Sequence, residues 1–179
     1  MAEERQAALK AVGEVMQAAT YATFITTDAA HAPQARLVYP GPPANDYGVI
    51  YISTNPSTRK VAQLRANPAS ALSYTAKDWQ AYVTLIGSTS IIDDPEVLRK
   101  HWREDLLVYY AGGPLGGNFV VLEFKPQQIE IVSYHHAIAT DPDRWQPMVL
   151  RREGEAWQVD PRSLQPKQQR RKREDTARL

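Results

Sequence analysis

Along most of the chain the spacing of apolar positions switches between a helical and a strand period. From Glu3 to Ala19, residues Leu9, Val12, Met16 and Ala19 recur every three or four positions, which predicts an amphipathic helix. Tyr21–Thr27 then alternates and is rich in β-branched and aromatic residues, the pattern of a strand, with Asp28–Ala32 as its turn. Gln34–Tyr39 predicts a second strand, stopped by Pro40-Gly41-Pro42-Pro43, because proline cannot donate to a sheet ladder. Val49–Thr54 predicts a third strand. A helix is expected over Pro56–Ala66, with Val61 and Leu64 inward and Asn67-Pro68 ending it. Ser70–Thr75 and Tyr82–Ile92 read as strands, and Asp94-Pro95 opens a helix expected to run to about Tyr110. Gly112–Gly117 must be a loop, Phe119–Phe124 and Ile129–Tyr134 two more strands, and Met148–Arg152 with Ala156–Val159 a hairpin around Glu153-Gly154.

These strands do not alternate regularly with helices, which argues against a doubly wound parallel sheet. A mainly β, α+β arrangement fits better: a closed or partly open antiparallel barrel with peripheral helices. No internal repeat is visible. A length of 179 residues favours one domain, expected over residues 1–160, followed by a tail over 161–179. Apolar residues at 43% supply enough material for a core. The longest apolar stretches, such as Phe119–Phe124, are far below the roughly 20 residues that span a bilayer. The charged amphipathic start does not have the form of a cleaved leader.

Charge and cysteine content narrow the chemistry. Cysteine is absent, which removes disulfides, thiolate catalysis and cysteine-based zinc or iron–sulfur centres, and a reducing cytoplasm is the expected setting. The net charge of +1 argues against nucleic acid as a partner. That balance is uneven. Between Gln165 and Leu179 six bases, Lys167, Arg170, Arg171, Lys172, Arg173 and Arg178, stand against Glu174 and Asp175, so a solvated basic tail is expected there.

The most informative stretch is Ser53-Thr54-Asn55-Pro56-Ser57-Thr58-Arg59-Lys60, where a predicted strand gives way to a predicted helix. A helix start offers unpaired N–H groups and the positive end of the helix dipole. The hydroxyls can donate to phosphate oxygens, Arg59 brings a planar fork and Lys60 a compact charge. Arg36, on the preceding strand, can reach the same corner. Three cations beside a hydroxyl-rich helix start suit a phosphomonoester, whose charge is close to −2. The same residues also read as an ordinary capped helix with a solvated basic face, although cations at that end oppose the dipole unless an anion is present. Gly112–Gly117 has neither the spacing of a dinucleotide fingerprint nor the lysine of a P-loop.

Thr54-Asn55-Pro56-Ser57-Thr58-Arg59-Lys60, the following Asn67-Pro68 and the preceding Arg36-Leu37-Val38-Tyr39 together resemble the pyridoxamine 5′-phosphate oxidase-like FMN-binding split-barrel proteins, over about Tyr21–Ser133. The resemblance implies a six-stranded antiparallel split β-barrel of Greek-key type with peripheral helices. It also implies FMN as cofactor and a homodimer with FMN at the subunit interface. In that family the Arg-Lys pair and the adjacent hydroxyl hold the phosphate, which implies Thr58, Arg59 and Lys60 here, with Ser53 and Thr54 in the same pocket. The Arg-led strand lies along the ribityl chain and ring, implicating Arg36, Leu37 and Val38.

Two departures set this chain apart. Tyr82 stands where the vitamin-metabolising members carry a glutamine, and Trp157, Arg162 and Leu164 only faintly echo their substrate-closing segment. Oxidation of pyridoxamine phosphate itself is therefore not the expected reaction. The helix with Trp102, then Tyr109-Tyr110 and the glycine loop, is more similar to the general-stress-protein subgroup. Trp102 is the preferred ring-stacking aromatic, ahead of Trp79, Tyr109, Tyr110 and Trp145. The expected function is a flavin-dependent oxidoreductase. A flavin-binding sensor or stress-response protein without turnover is the alternative, as is the same fold holding deazaflavin F420 or haem. Neither His135-His136 nor any serine lies in a pattern that predicts a metal site or a nucleophile elbow, so no protein acid or base is nominated and no metal is expected.

Overall fold

The structure, a computed structural model, describes residues 2–44, 46–141 and 146–164. Helix α1 (Ala2–Ala19) leads into β1 (Ala22–Thr27), β2 (Pro33–Val38), β3 (Ile50–Thr54), α2 (Arg59–Ala66), β4 (Ala69–Ala76) and β5 (Ala81–Ile92). Then come α3 (Pro95–His101), β6 (Val120–Ser133), β7 (Met148–Glu153) and β8 (Ala156–Val159), with a final 3₁₀ turn at Pro161–Leu164.

The strands form one antiparallel sheet in the order β2-β1-β4-β5-β6-β7-β8, while β3 returns to pair with β6. That is the sheet-dominated α+β split-barrel arrangement the sequence implies. Alternation does the work: β1 and β3 bury every second residue, and Phe24, Ile50 and Ile52 go inward with Leu72, Leu85, Phe124 and Ile131. Helix α1 lays Ala8, Ala11, Val12, Val15 and Met16 over β4 and β5, closing the core. No helix among the described residues is long and apolar enough to cross a membrane.

Three elements differ from the sequence expectation. Phe119–Phe124 and Ile129–Tyr134 belong to one long strand, β6, whose first half carries β3 and whose second half carries β7. The break expected at Lys125-Pro126-Gln127 is a β-bulge instead. Gly87 faces Pro126 and Ile86 faces Gln128, so Gln127 is the extra residue. Gly87 is obligatory there, since a Cβ would lie 2.1 Å from the Lys125 carbonyl oxygen. Second, α2 starts at Arg59, with Thr58 as its N-cap, rather than at Pro56.

Third, the helix expected to reach Tyr110 stops at His101, and a separate 3₁₀ turn spans Glu104–Val108. Leu98, Trp102, Leu106 and Tyr110 recur every four residues, and in a 3.6-residue helix each such step drifts by about 40°. A straight helix would spread them around its surface. With the chain extended at Trp102, the rings of Trp102 and Tyr110 both meet Phe119 edge-on, at centroid distances of 5.2 and 5.1 Å. Leu98, Phe119 and Val121 form this second, smaller core.

Candidate functional site

Strands β2 and β3 are consecutive in the chain, yet β2 pairs with β1 and β3 with β6, which leaves a gap between them. A cleft of about 610 Å³ opens there, a size suited to a cofactor-sized ligand. Leu37 and Val38 line one side, Tyr51, Ser53 and Thr54 the other, and Lys60 closes one end.

The corner above Lys60 is built by Asn55. Its Oδ1 accepts hydrogen bonds from the Ser57 N–H (2.8 Å) and Ser57 Oγ (2.6 Å), while Thr58 Oγ1 donates to the Asn55 carbonyl (2.9 Å). The tightened turn delivers Thr58 as N-cap and aims the first N–H groups of α2, at Arg59 and Lys60, out of the helix end. Buried Val61 and Leu64 fix the helix against the barrel.

Among the described residues, the cations of this corner meet no carboxylate. Lys60 Nζ donates to the buried Thr54 hydroxyl (2.9 Å). Arg36 Nη1 donates to Thr26 Oγ1 (2.7 Å) and the Phe24 carbonyl (3.2 Å), and its Nη2 to Gln63 Oε1 (3.0 Å). Every partner is neutral. Burial lowers the proton affinity of both, with repulsion from Arg59 adding to it at Arg36 and repulsion from Arg36 adding to it at Lys60. Arg59 is exposed beside them. Two partly buried cations, Arg36 repelled by Arg59 and Lys60 by Arg36, make a corner whose charge an anion can balance.

The far wall of the cleft comes from the segment after α3. His101 packs against Tyr51 with ring centroids 4.0 Å apart and planes tilted by 39°, and Tyr51 donates its hydroxyl hydrogen to Glu123 Oε2 (3.2 Å). Arg103 is held by Asp105 in a two-pronged pair (3.0 and 2.9 Å) and lies 5.8 Å from the Tyr39 ring centre. Tyr109 and Tyr110 complete this side. A second cavity of about 600 Å³, bounded by Met16, Tyr47 and Tyr74, shares Tyr39, Gly41, Pro42 and Arg103 with the first. The loop between β2 and β3 that shapes both is tied down at Asp46. Its carboxylate pairs with Arg152 (2.7 Å), and its carbonyl accepts from the buried Trp157 indole (2.6 Å).

Of the residues the sequence singled out, Leu37, Val38, Ser53, Thr54 and Lys60 line the cleft, Thr58 and Arg59 start the adjoining helix, and Arg36 braces that helix through Gln63. Tyr82 and Trp102 fall elsewhere. Tyr82 lies in β5 opposite Thr75 and Val132, and Trp102 packs on Phe119 in the small core. Its neighbours His101 and Arg103 line the cleft. Trp145 lies outside the described residues, as does the tail from Gln165 onward. Tyr51, His101 and Gln63 carry no signal in a single sequence, because only the pairing of β3 with β6 and the break after His101 bring them here. Of the histidine pair, His135 stacks on Trp79 (4.4 Å) and His136 bridges buried Ser133 (2.7 Å) to Glu14 (2.8 Å), tying α1 to the end of β6.

The sequence profile described as pyridoxamine 5′-phosphate oxidase matches residues 8–133. Among solved structures, a protein related to general stress protein 26 from Clostridium acetobutylicum, of the pyridoxinephosphate oxidase family, is 20% identical. The match covers 71% of this chain and 89% of that one with a TM-score of 0.64. A pyridoxamine 5′-phosphate oxidase-related, FMN-binding protein from Nostoc punctiforme is 13% identical over 84% of this chain and 94% of its own (TM-score 0.62). A heme-binding protein from Mycobacterium smegmatis is 16% identical, over 70% of this chain and 53% of that one (TM-score 0.56). At these identities the likeness is one of fold. No curated protein sequence matches the chain.

Proposed function

The chain belongs to the pyridoxamine 5′-phosphate oxidase family, and from that premise we propose that it binds FMN in the β2–β3 cleft and acts as a flavin-dependent oxidoreductase. The observation that carries this is the cluster of Lys60, on the wall of a cofactor-sized cleft, with Arg59 and Arg36 beside it, none of them paired with a carboxylate among the described residues. Arg59, Lys60, Thr58 Oγ1 and the first N–H groups of α2 would hold the phosphate, with Arg36 adding charge from behind Thr26. Leu37 and Val38 offer an apolar strand edge for the ring system, with Ser53 and Thr54 lining the same pocket. A bound flavin supplies the hydride or electron chemistry, and the protein supplies placement and electrostatics.

A homodimer belongs to the same proposal. Leu37, Tyr39, Val108 and Tyr109, all on or beside the cleft rim, are more than half exposed, and a second copy would cover them. The test is direct. Purified protein should be yellow, with an oxidised-flavin spectrum, and Arg59→Ala/Lys60→Ala should fold but come out colourless. Flavin bound by the double variant as tightly as by the natural chain would overturn the assignment. A Soret band, or a deazaflavin spectrum, would replace FMN with haem or F420 in the same fold. Flavin that common electron donors cannot reduce would favour a sensor over an enzyme.

A further inference from the structure

We propose that His101 is the proton-exchanging group of the cleft: its imidazole takes up one proton from water as two electrons enter, and returns it as they leave. This rests on flavin occupying the cleft, and deepens that reading by giving the chain's own chemistry a residue.

The groups around His101 leave it as the side chain able to exchange a proton near neutrality. On its own element stands Lys100, and from β3 Tyr51 lies under the ring. From β6, Glu123 forms an ion pair with Lys125 (2.6 Å), accepts from the Tyr51 hydroxyl (3.2 Å), and its charge acts on His101 directly. Burial and the bond to Glu123 raise the Tyr51 phenol above its ordinary range, and burial raises that of Tyr110, so both stay protonated. Arg103 and Asp105 neutralise each other, and Arg103 holds that carboxyl below its usual range. Lys60, at the far end, is committed to Thr54 and the anion corner. An imidazole is what remains.

Its setting suits the task. Burial first, and repulsion from Lys100 second, lower the proton affinity of His101 below the ordinary histidine value, against a smaller opposite pull from the Glu123 carboxylate. The tilted ring contact with Tyr51, itself held by Glu123, places the imidazole on the cleft wall. Two electrons arriving from a reductant add negative charge within the same cavity, and that charge favours the imidazolium. The balance for each two electrons placed on a bound flavin is the proton that the ring system itself requires plus one more from bulk water onto the His101 ring nitrogen, both returned when the electrons pass to an acceptor.

The experiment is an anaerobic titration of FMN-loaded protein with dithionite between pH 5.5 and 8.5, counting protons taken up per electron pair. The natural chain should take up about one more proton per pair than His101→Gln in a window just above the resting pKa of His101, with the two curves converging on either side. In parallel, the His101 ring resonance of the unmodified protein should titrate at higher pH after reduction than before, a readout that needs no variant. Superimposable proton counts, or a His101 titration blind to reduction, overturn the inference while flavin stays bound. Protein that takes up no flavin overturns the function proposed above and this inference with it.

Discussion

At the scale of single residues, the anion corner makes a prediction that a merely capped helix does not. Arg59 sits at a helix N-terminus, where a cation opposes the dipole, and its neighbours are cations too. Arg59→Ala should therefore leave the flavin-free protein as stable as before, within about 0.5 kcal/mol, or slightly more stable. FMN affinity should nevertheless fall by about tenfold to a hundredfold, the range of one charge-assisted hydrogen bond of about 1.5–3 kcal/mol. Thermal unfolding and flavin titration of the same preparation check both halves. Asp160 is the converse case, a charge whose partners are present. Arg162 and Arg151 hold its buried carboxyl far below the usual carboxylate range, by bonds of 2.7 and 2.9 Å. A depressed carboxyl contributes stability above its unfolded value near 3.9 and loses it as pH falls through the folded value. Asp160→Asn should thus be clearly destabilised at pH 7, with the gap to the natural chain closing progressively in acid, as denaturant midpoints across pH would record.

At the scale of elements, two substitutions probe the bulge of β6 and the start of α3. Gly87→Ala would drive a methyl group into the Lys125 and Pro126 backbone at the bulge of β6, and should cost about 3 kcal/mol or prevent folding. Asp94 accepts from the N–H groups of Glu96 and Val97 as the cap of α3, and Asp94→Ala should cost about 1 kcal/mol in denaturant unfolding. The barrel strands were legible because alternation records which face is buried, and the anion corner because its residues are consecutive. The bulge was not: Lys125-Pro126-Gln127 has the composition of a loop, and only the partner strand, with Gly87 opposite Pro126, turns it into a continuous ladder. The break at Trp102 was hidden for a similar reason. Local spacing favours a helix through Tyr110, and it is Phe119, later in the chain, that draws Trp102 and Tyr110 onto one ring. His101 reached the cleft wall as a by-product of that break.

At the scale of the whole molecule, the exposed apolar rim of the cleft is the open matter. Val108 is 78% exposed in the turn beside the cleft and supports no part of the core, so its surroundings should be a second copy of the chain. Light scattering should report a dimer, and Val108→Asp should shift it toward monomer without altering the far-ultraviolet spectrum. An unchanged mass would place any dimer contact elsewhere.

The tether at Asp46 has a consequence in time rather than in shape. Strands β7 and β8 lie at the other end of the sequence from the Gly41-Pro42 stretch of the cleft, yet Arg152 and Trp157 hold that loop at Asp46, beside its own ties from Gly41 to Tyr51 and from Ala44 to Val49. Cutting the tether, as in Trp157→Phe with Arg152→Ala, leaves every contact of the anion corner in place and loosens the loop at Asp46. A ligand in the cleft would still dock at the same spot, but would dwell there more briefly.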